Sequence, residues 1–242
     1  MVTGVLFDFS GTLFRVEPVE SWLRAVLDAC GVRMSGAEVQ RTAAALAAAG
    51  ALPGGSTPQR VPDELAGAWA ARDSTAALHR TAYTGLSRQV RLPDPGLHDA
   101  LYDRHKTPEA WQPYPDTAPV LAELHARGVA VGVVSNIGWD LRPVFSAHGL
   151  APYVDAYVLS YEYGIQKPDA RIFALACKEL GLAPEEVLMV GDDRGADGGA
   201  AGIGCGVFFV DHLPRSERPD GLRPVLKLAG DGTGRQSDTR SP

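Results

Sequence analysis

The run Val5-Leu6-Phe7 stops abruptly at Asp8, and no other stretch restricts the possible folds so strongly. Consecutive apolar residues without alternation are the pattern of a strand buried on both faces, which parallel sheets covered by helices require. Ser10-Gly11-Thr12 then supplies turn chemistry. A carboxylate at the carboxyl end of a central parallel strand stands where open α/β sheets place their ligands. Taken alone, Asp8 fits a local turn or cap equally well.

Later apolar runs repeat the arrangement. Residues 129–134 lead into Ser135-Asn136, residues 156–159 follow, residues 187–190 lead into Gly191-Asp192-Asp193, and residues 207–210 close the series. Helical spacing fills the gaps. One helix starts at Asp116-Thr117 and runs through Arg127 to Gly128; another, around Leu141, Val144 and Phe145, ends at Gly149. Asp169 caps a third, which carries Ile172, Phe173, Ala176 and Leu180 and stops at Gly181; a short Ala/Gly helix precedes the last strand. Strands alternating with helices of this length predict an α/β fold, a Rossmann-like doubly wound parallel sheet.

Residues 15–111 read differently. Trp22, Leu23, Val26, Leu27 and Cys30 recur at helical spacing, and residues 37–49 are alanine-rich. A Pro/Gly/Ser-rich connection spans 51–62, residues 63–89 read as helix with Leu65, Trp69 and Leu78, and Leu97, Leu101 and Tyr102 mark a short further helix. No strand is legible between Phe14 and Trp111. The block is therefore expected to be an all-helical cap, inserted into a core made of residues 1–14 and 112–229. Residues 230–242, polar and glycine-rich, are expected to form a disordered tail.

Composition narrows the function. The chain has 242 residues, 45% hydrophobic and 21% charged, with net charge −6 and no dense Lys/Arg cluster, which argues against a nucleic-acid partner. No apolar run approaches the roughly 18 residues of a membrane span, and no basic and apolar leader precedes Asp8, so a cytoplasmic location is expected. Cys30, Cys177 and Cys205 are widely spaced and read as reduced packing thiols. Lys106, Lys167, Lys178 and Lys227 are the only lysines, which limits any mechanism needing an amine.

Asp8, Ser135 and Asp192 each end a predicted strand, and right-handed crossovers bring such ends to one edge of the sheet. Lys167 precedes Pro168 in a loop leading to the same edge. A carboxylate nucleophile can accept a phosphoryl group and release it to water. Lys167 and the Ser135 hydroxyl suit a phosphate, and Asp8, Asp192 and Asp193 or Asp197 suit a hard cation such as Mg²⁺. That cation would be needed, because two like charges 4 Å apart repel by about 4 kcal/mol at an effective dielectric near 20.

Asp8-Phe9-Ser10-Gly11-Thr12, Ser135-Asn136, Lys167-Pro168 and Gly191-Asp192-Asp193 through Asp197, in this order, resemble the four motifs of the haloacid dehalogenase superfamily, in the subgroup with a helical cap inserted after the first strand. The resemblance spans about residues 4–210. It implies that Asp8 is the nucleophile of an aspartyl-phosphate mechanism, with Ser10 and Lys167 also in the catalytic set. It implies phosphate binding by Ser135 and Lys167, alongside Gly11, Thr12 and Asn136. Mg²⁺ would be held by Asp192, Asp8, Asp193, Asp197 and the backbone carbonyl of Ser10.

One departure matters. Phosphatases of that superfamily carry a second aspartate two residues after the nucleophile as general acid and base, and here that position is Ser10. General acid–base catalysis contributes about 10²–10⁴-fold. The expected function is Mg²⁺-dependent, phosphatase-type hydrolysis of a small phosphorylated metabolite by a monomer or homodimer. The alternatives are a dehalogenase-like hydrolase, whose halide leaves without a proton, and a catalytically weak Mg²⁺- and phosphate-binding regulatory protein. A dehalogenase needs no metal, so the Asp192-Asp193 pair speaks against it. A phosphonate hydrolase would need a cap lysine, and the first cap helix offers only Arg24. Arg15 and Trp139-Asp140 are further candidates to meet substrate. Trp22, Trp69 and Trp111 read as packing, and His79, His98, His105, His125 and His148 as surface or helix residues.

Overall fold

A computed structural model describes residues 1–230, so the expected tail lies, but for Gly230, outside the described residues. Strand β1 (Gly4–Phe7) is buried along its whole length, as its unbroken apolar run requires. It is followed by β2 (Phe14–Val16), and then by α1 (Val19–Cys30), α2 (Gly36–Ala48), α3 (Ala66–Ala70), α4 (Ala76–Ser87) and α5 (Leu97–Arg104). Next come β3 (Trp111–Pro113), α6 (Thr117–Ala126), β4 (Ala130–Ser135), α7 (Arg142–Ala147), β5 (Ala156–Leu159), α8 (Ser160–Tyr163) and α9 (Ala170–Leu180). The chain finishes with β6 (Val187–Gly191), β7 (Gly206–Phe209) and α10 (Val225–Leu228).

Five parallel strands form one sheet in the order β5-β4-β1-β6-β7, with β1 at the centre. Successive residues face opposite sides. Val5, Phe7, Val131, Val133, Leu188 and Val190 join α6 and α7 in one apolar layer. Leu6, Val134, Val158, Val187 and Met189 join Ile172, Phe173 and Ala176 of α9 in the other. Helices on both faces make this the doubly wound α/β fold expected from the sequence. Each fully buried Leu, Val or Phe contributes about 1.5–3 kcal/mol.

Five of the helices lie between β2 and β3, and those two strands pair antiparallel from Phe14–Pro113 to Val16–Trp111. This ribbon corrects the expectation of a strand-free block. Strands of three residues carry no alternation long enough to read. The helix expected over residues 63–89 is also broken. A 3₁₀ turn at Arg72–Ser74 separates α3 from α4, because Thr75 leaves the helical conformation to cap α4, its hydroxyl accepting from Leu78 N at 3.1 Å. Asp116 does not cap α6 with its side chain; Oδ2 accepts from Leu222 N at 2.6 Å and ties the C-terminal segment to the sheet. Cys30 is exposed rather than packed, whereas Cys177 and Cys205 are buried with their sulfurs 3.7 Å apart as free thiols.

His79 and His98 lie in helices, one of the two placements expected, and both are buried, as is His105. They sit among the inserted helices, where His79 Nδ1 meets Tyr102 Oη at 2.8 Å and His98 Nδ1 meets Ser87 Oγ at 2.8 Å. Among the described residues no helix is long and apolar enough to cross a membrane.

Burial, aided by Arg72 and Lys106, lowers the His79 pKa to about 3 from the ordinary 6.5. Between those values the unfolded chain binds a proton that the folded one does not. Stability is therefore full above pH 6.5 and lost as pH falls toward 3. Urea unfolding at pH 7.5 and 5.0 should show His79→Asn losing about 2 kcal/mol less than the wild type across that interval.

Candidate active site

Asp8 leaves the end of β1 and enters a cavity of about 410 Å³. Ser10, Ser135, Asn136, Lys167, Asp192, Asp193 and Asp197 line the same cavity. Parallel pairing of β1 with β4 and β6 puts those strand ends at one edge of the sheet, as anticipated from the sequence. Lys167 arrives from the loop between α8 and α9. Its Nζ lies 2.7 Å from Asp8 Oδ1 and 2.6 Å from Asp197 Oδ1, and all three groups are buried.

Burial pushes the Asp8 carboxyl up, Lys167 pulls it back, and Asp197 and Asp192 raise it again, to about 7. Burial alone would lower the Lys167 pKa, but the charges of Asp197 and Asp8 outweigh it and hold the ammonium protonated. One carboxylate oxygen from each of Asp8, Asp192 and Asp197 falls within a group all within 4.8 Å. Two carboxylates thus hold the lysine, and a third, Asp192, stands beside them.

Several neighbours hold these groups in place. Asn136 uses both ends of its amide on the Lys167 backbone, donating to its carbonyl at 2.9 Å and accepting from its N–H at 2.7 Å. Gly11 and Thr12, expected to contact phosphate, are not among the residues that line the cavity. Gly11 turns the chain at φ 86°, and a Cβ there would lie 2.3 Å from Asp192 Oδ2. The Thr12 hydroxyl donates to Asp192 Oδ1 at 3.3 Å. Asp193 Oδ1 accepts from Gly195 N and Ala196 N, which turns it into a loop cap and separates it from the carboxylate group. Asp197 Oδ2 accepts from Asp193 N at 3.0 Å, so both Asp197 oxygens are occupied within the protein. A Cβ at Gly191 would lie 2.0 Å from Asp197 Oδ2, so only glycine leaves room for that carboxylate.

Two residues beyond the predicted set support the site. His212 Nδ1 lies 2.5 Å from Asp192 Oδ2. Arg218 is buried, stacks on the Tyr114 ring, and donates to the carbonyls of Gly11 and Thr12, fixing the turn after Asp8. Both come from the aperiodic segment after β7, where no local pattern marks them.

The remaining wall belongs to the insertion. Residues 52–57, Trp69, Arg72, Asp73, His79 and Tyr83 line it. Gly54 passes close to the Ser10 hydroxyl. Trp22 is buried as a packing residue, while Trp111, also buried, lines the cavity together with Trp69, whose ring has the Arg72 guanidinium 4.1 Å above it. Trp139 packs on Phe9, His105 and Trp111 and does not reach the cavity. Asp140 accepts from Arg142 N at 3.0 Å, and Arg15 faces a separate groove with Arg215.

Comparison with known proteins agrees with this geometry. Residues 2–202 match the family model of haloacid dehalogenase-like hydrolases. A phosphoserine phosphatase of Thermus thermophilus is 38% identical over 48% of this chain and 47% of its own length. A ribulose-1,5-bisphosphate 5-phosphatase of Halopiger xanaduensis is 32% identical over 68% of this chain and 69% of its own. A crystal structure of a dehalogenase, 26% identical, superposes with a TM-score of 0.66, covering 94% of this chain and 96% of that one. The chain spans about half the length of the first curated relatives it matches.

Removing one partner from a buried ion pair leaves the other charge uncompensated and costs about 3–5 kcal/mol. Lys167→Ala, which leaves both Asp8 and Asp197 without their cation, should lose stability in that range by urea unfolding at pH 7.5. Asp193→Ala, whose carboxylate caps a partly exposed loop, should lose about 1 kcal/mol.

Proposed function

The chain belongs to the haloacid dehalogenase-like hydrolase family, and on that footing we propose that it hydrolyses a small phosphorylated molecule in the cytoplasm, carrying the phosphoryl group on Asp8. The observation behind this reading is the excess of carboxylate over cation: Asp8, Asp192 and Asp197 around Lys167. A metal-free attack on a haloacid has no use for such a group, whereas a phosphoryl transfer needs a divalent cation there.

An all-oxygen donor set suits a hard ion such as Mg²⁺. Asp8, Asp192 and Asp197, whose carboxylate oxygens lie within 4.8 Å of one another, would hold it together with the Ser10 carbonyl. When bound, the cation supplies positive charge that offsets the phosphate dianion beside these carboxylates. The protein's own groups do the rest. Lys167 holds Asp8 Oδ1 and leaves Oδ2 as the attacking oxygen. Lys167 and the Ser135 hydroxyl are placed to donate to phosphate oxygens at the sheet edge. The inserted helices act as a cap, closing the cavity, excluding water and choosing the substrate. A volume of about 410 Å³ admits a small molecule. The two phosphatases among the relatives support the same reading.

A second reading, dehalogenase-like hydrolysis at Asp8, draws on the hydroxyl in place of an acid at Ser10 and on the likeness to a dehalogenase structure. Chelation separates the two. With a panel of phosphate esters and 2-haloacids, EDTA should abolish turnover and Mg²⁺ restore it. Undiminished haloacid turnover in EDTA would favour the dehalogenase. No turnover of any compound would favour a regulatory binder.

Asp8→Asn should reduce turnover to background while the thermal transition stays cooperative. Saturating Mg²⁺ should raise wild-type stability by about 2.7 kcal/mol at a hundred times its Kd, and by much less in Asp192→Ala.

A further inference from the structure

Asp73 is the one carboxylate in the cavity wall contributed by the inserted helices. It is 4% exposed, and its backbone is fastened to the sheet edge. The Ser160 hydroxyl donates to the Asp73 carbonyl at 2.6 Å and accepts from Ile137 N at 2.9 Å, two residues beyond Ser135. Gln166, beside Lys167, donates to the Ala70 carbonyl at 3.0 Å. The turn that carries Asp73 is thus seated on both loops that present Ser135 and Lys167.

The Asp73 carboxyl itself has charged neighbours but no hydrogen-bond donor. Among the described residues neither oxygen accepts a hydrogen bond; Arg72 Nε stands 3.4 Å from Oδ2 and His79 Nε2 3.9 Å from Oδ1. Tyr83 lies on the same wall, and Lys167 faces Asp73 from the sheet side. Burial raises the Asp73 carboxyl above its ordinary value, although Arg72 and Lys167 pull it down.

A leaving alkoxide needs a proton, and the other cavity groups are poorly suited to give one. The hydroxyl of Ser10 is too weak an acid near neutrality. Lys167 is committed to two carboxylates, and Arg72 does not release a proton. His79 is held neutral, and burial raises Tyr83 to about 12. His212 is bonded to Asp192 on the metal side.

We propose that Asp73 is the general acid–base of this enzyme, acting from the inserted wall on a substrate held at Asp8. The inference rests on the phosphoryl-transfer reading above. Asp8 Oδ2 bonds to phosphorus as the phosphorus–oxygen bond to the alcohol breaks, and the Asp73 proton passes to that oxygen. Water then attacks phosphorus, the bond to Asp8 breaks, and Asp73 takes a proton from the water. Alcohol and orthophosphate leave, and both aspartates return to their starting state.

The test compares kcat/KM, with Mg²⁺, for 4-nitrophenyl phosphate and glycerol 2-phosphate. Nitrophenolate departs without a proton, and the glycerol alkoxide does not. Asp73→Asn should lower the alkyl ester about 10²–10³-fold and the aryl ester less than about tenfold. Intact mass after mixing with the aryl ester should show phosphorylated protein accumulating in Asp73→Asn but not in wild type. Asp73→Glu, which keeps the acid, should hold the alkyl-to-aryl ratio nearer wild type. Ser10→Asp in the Asp73→Asn background should recover at least tenfold on the alkyl ester. Equal losses on both esters, no accumulation of phosphoprotein, or a ratio that collapses on His212→Asn instead would overturn the proposal. Asp8→Asn tests the underlying reading separately: turnover surviving that change would remove the phosphatase reading whatever the Asp73 variants show.

Discussion

A lysine ammonium buried between two carboxylates governs this architecture. Lys167, Asp8 and Asp197 come from segments far apart in the chain, yet their charged atoms meet within 2.7 Å. Desolvating such charges roughly cancels their attraction, so the triad contributes little to stability. The apolar sheet must hold it together. That is why β1, β4 and β6 are buried from end to end, and why the Asn136 amide is used wholly on the Lys167 backbone. The fold supplies the rigidity, and the triad keeps Asp8 oriented.

The two walls of the cavity have different chemistry. The sheet side carries Asp8, Asp192, Asp197 and Lys167, an arrangement for charge. The inserted side carries Trp69, Arg72, Asp73, His79 and Tyr83, an arrangement of rings with a buried carboxyl beside a half-buried guanidinium. On the proposed reading, cation and phosphate meet the sheet side, and substrate contacts and proton transfer fall to the insertion. A chain with a hydroxyl at Ser10 can then keep acid–base chemistry by drawing the carboxyl from the other side.

Much of this was legible in the sequence because the determinants are local. Apolar runs ending in Asp8, Ser135 and Asp192 read as strands with polar ends, and the sheet follows from their alternation with helices. The triad was legible only as residue types; nothing in the sequence says that Asp197, and not Asp193, meets Lys167. That choice depends on the loop, where Asp193 turns back to cap Gly195 and Ala196. Arg218 and His212 lie beyond the last periodic segment, and their partners Gly11 and Asp192 are 207 and 20 residues away respectively. Histidines at helical positions look the same whether they face solvent or a neighbouring helix, so the burial of His79 and His98 is not legible. The ribbon of β2 and β3 escaped because its strands are too short to show a period.

That ribbon has a consequence for how such a chain can diversify. The helices between β2 and β3 begin and end on adjacent hydrogen-bonded strands, and Glu17 N closes the ladder on the Ala110 carbonyl at 2.7 Å. The Arg104 guanidinium then binds Glu17 across the same junction at 2.7 Å. A segment whose two ends are already held side by side adds loop-closure entropy only logarithmically with its length. The sheet is therefore indifferent to what is threaded through the junction. Helices could be lengthened, shortened or exchanged for another block without disturbing the strand register around Asp8. The molecule is built like a socket, with a fixed reaction edge and a replaceable fitting.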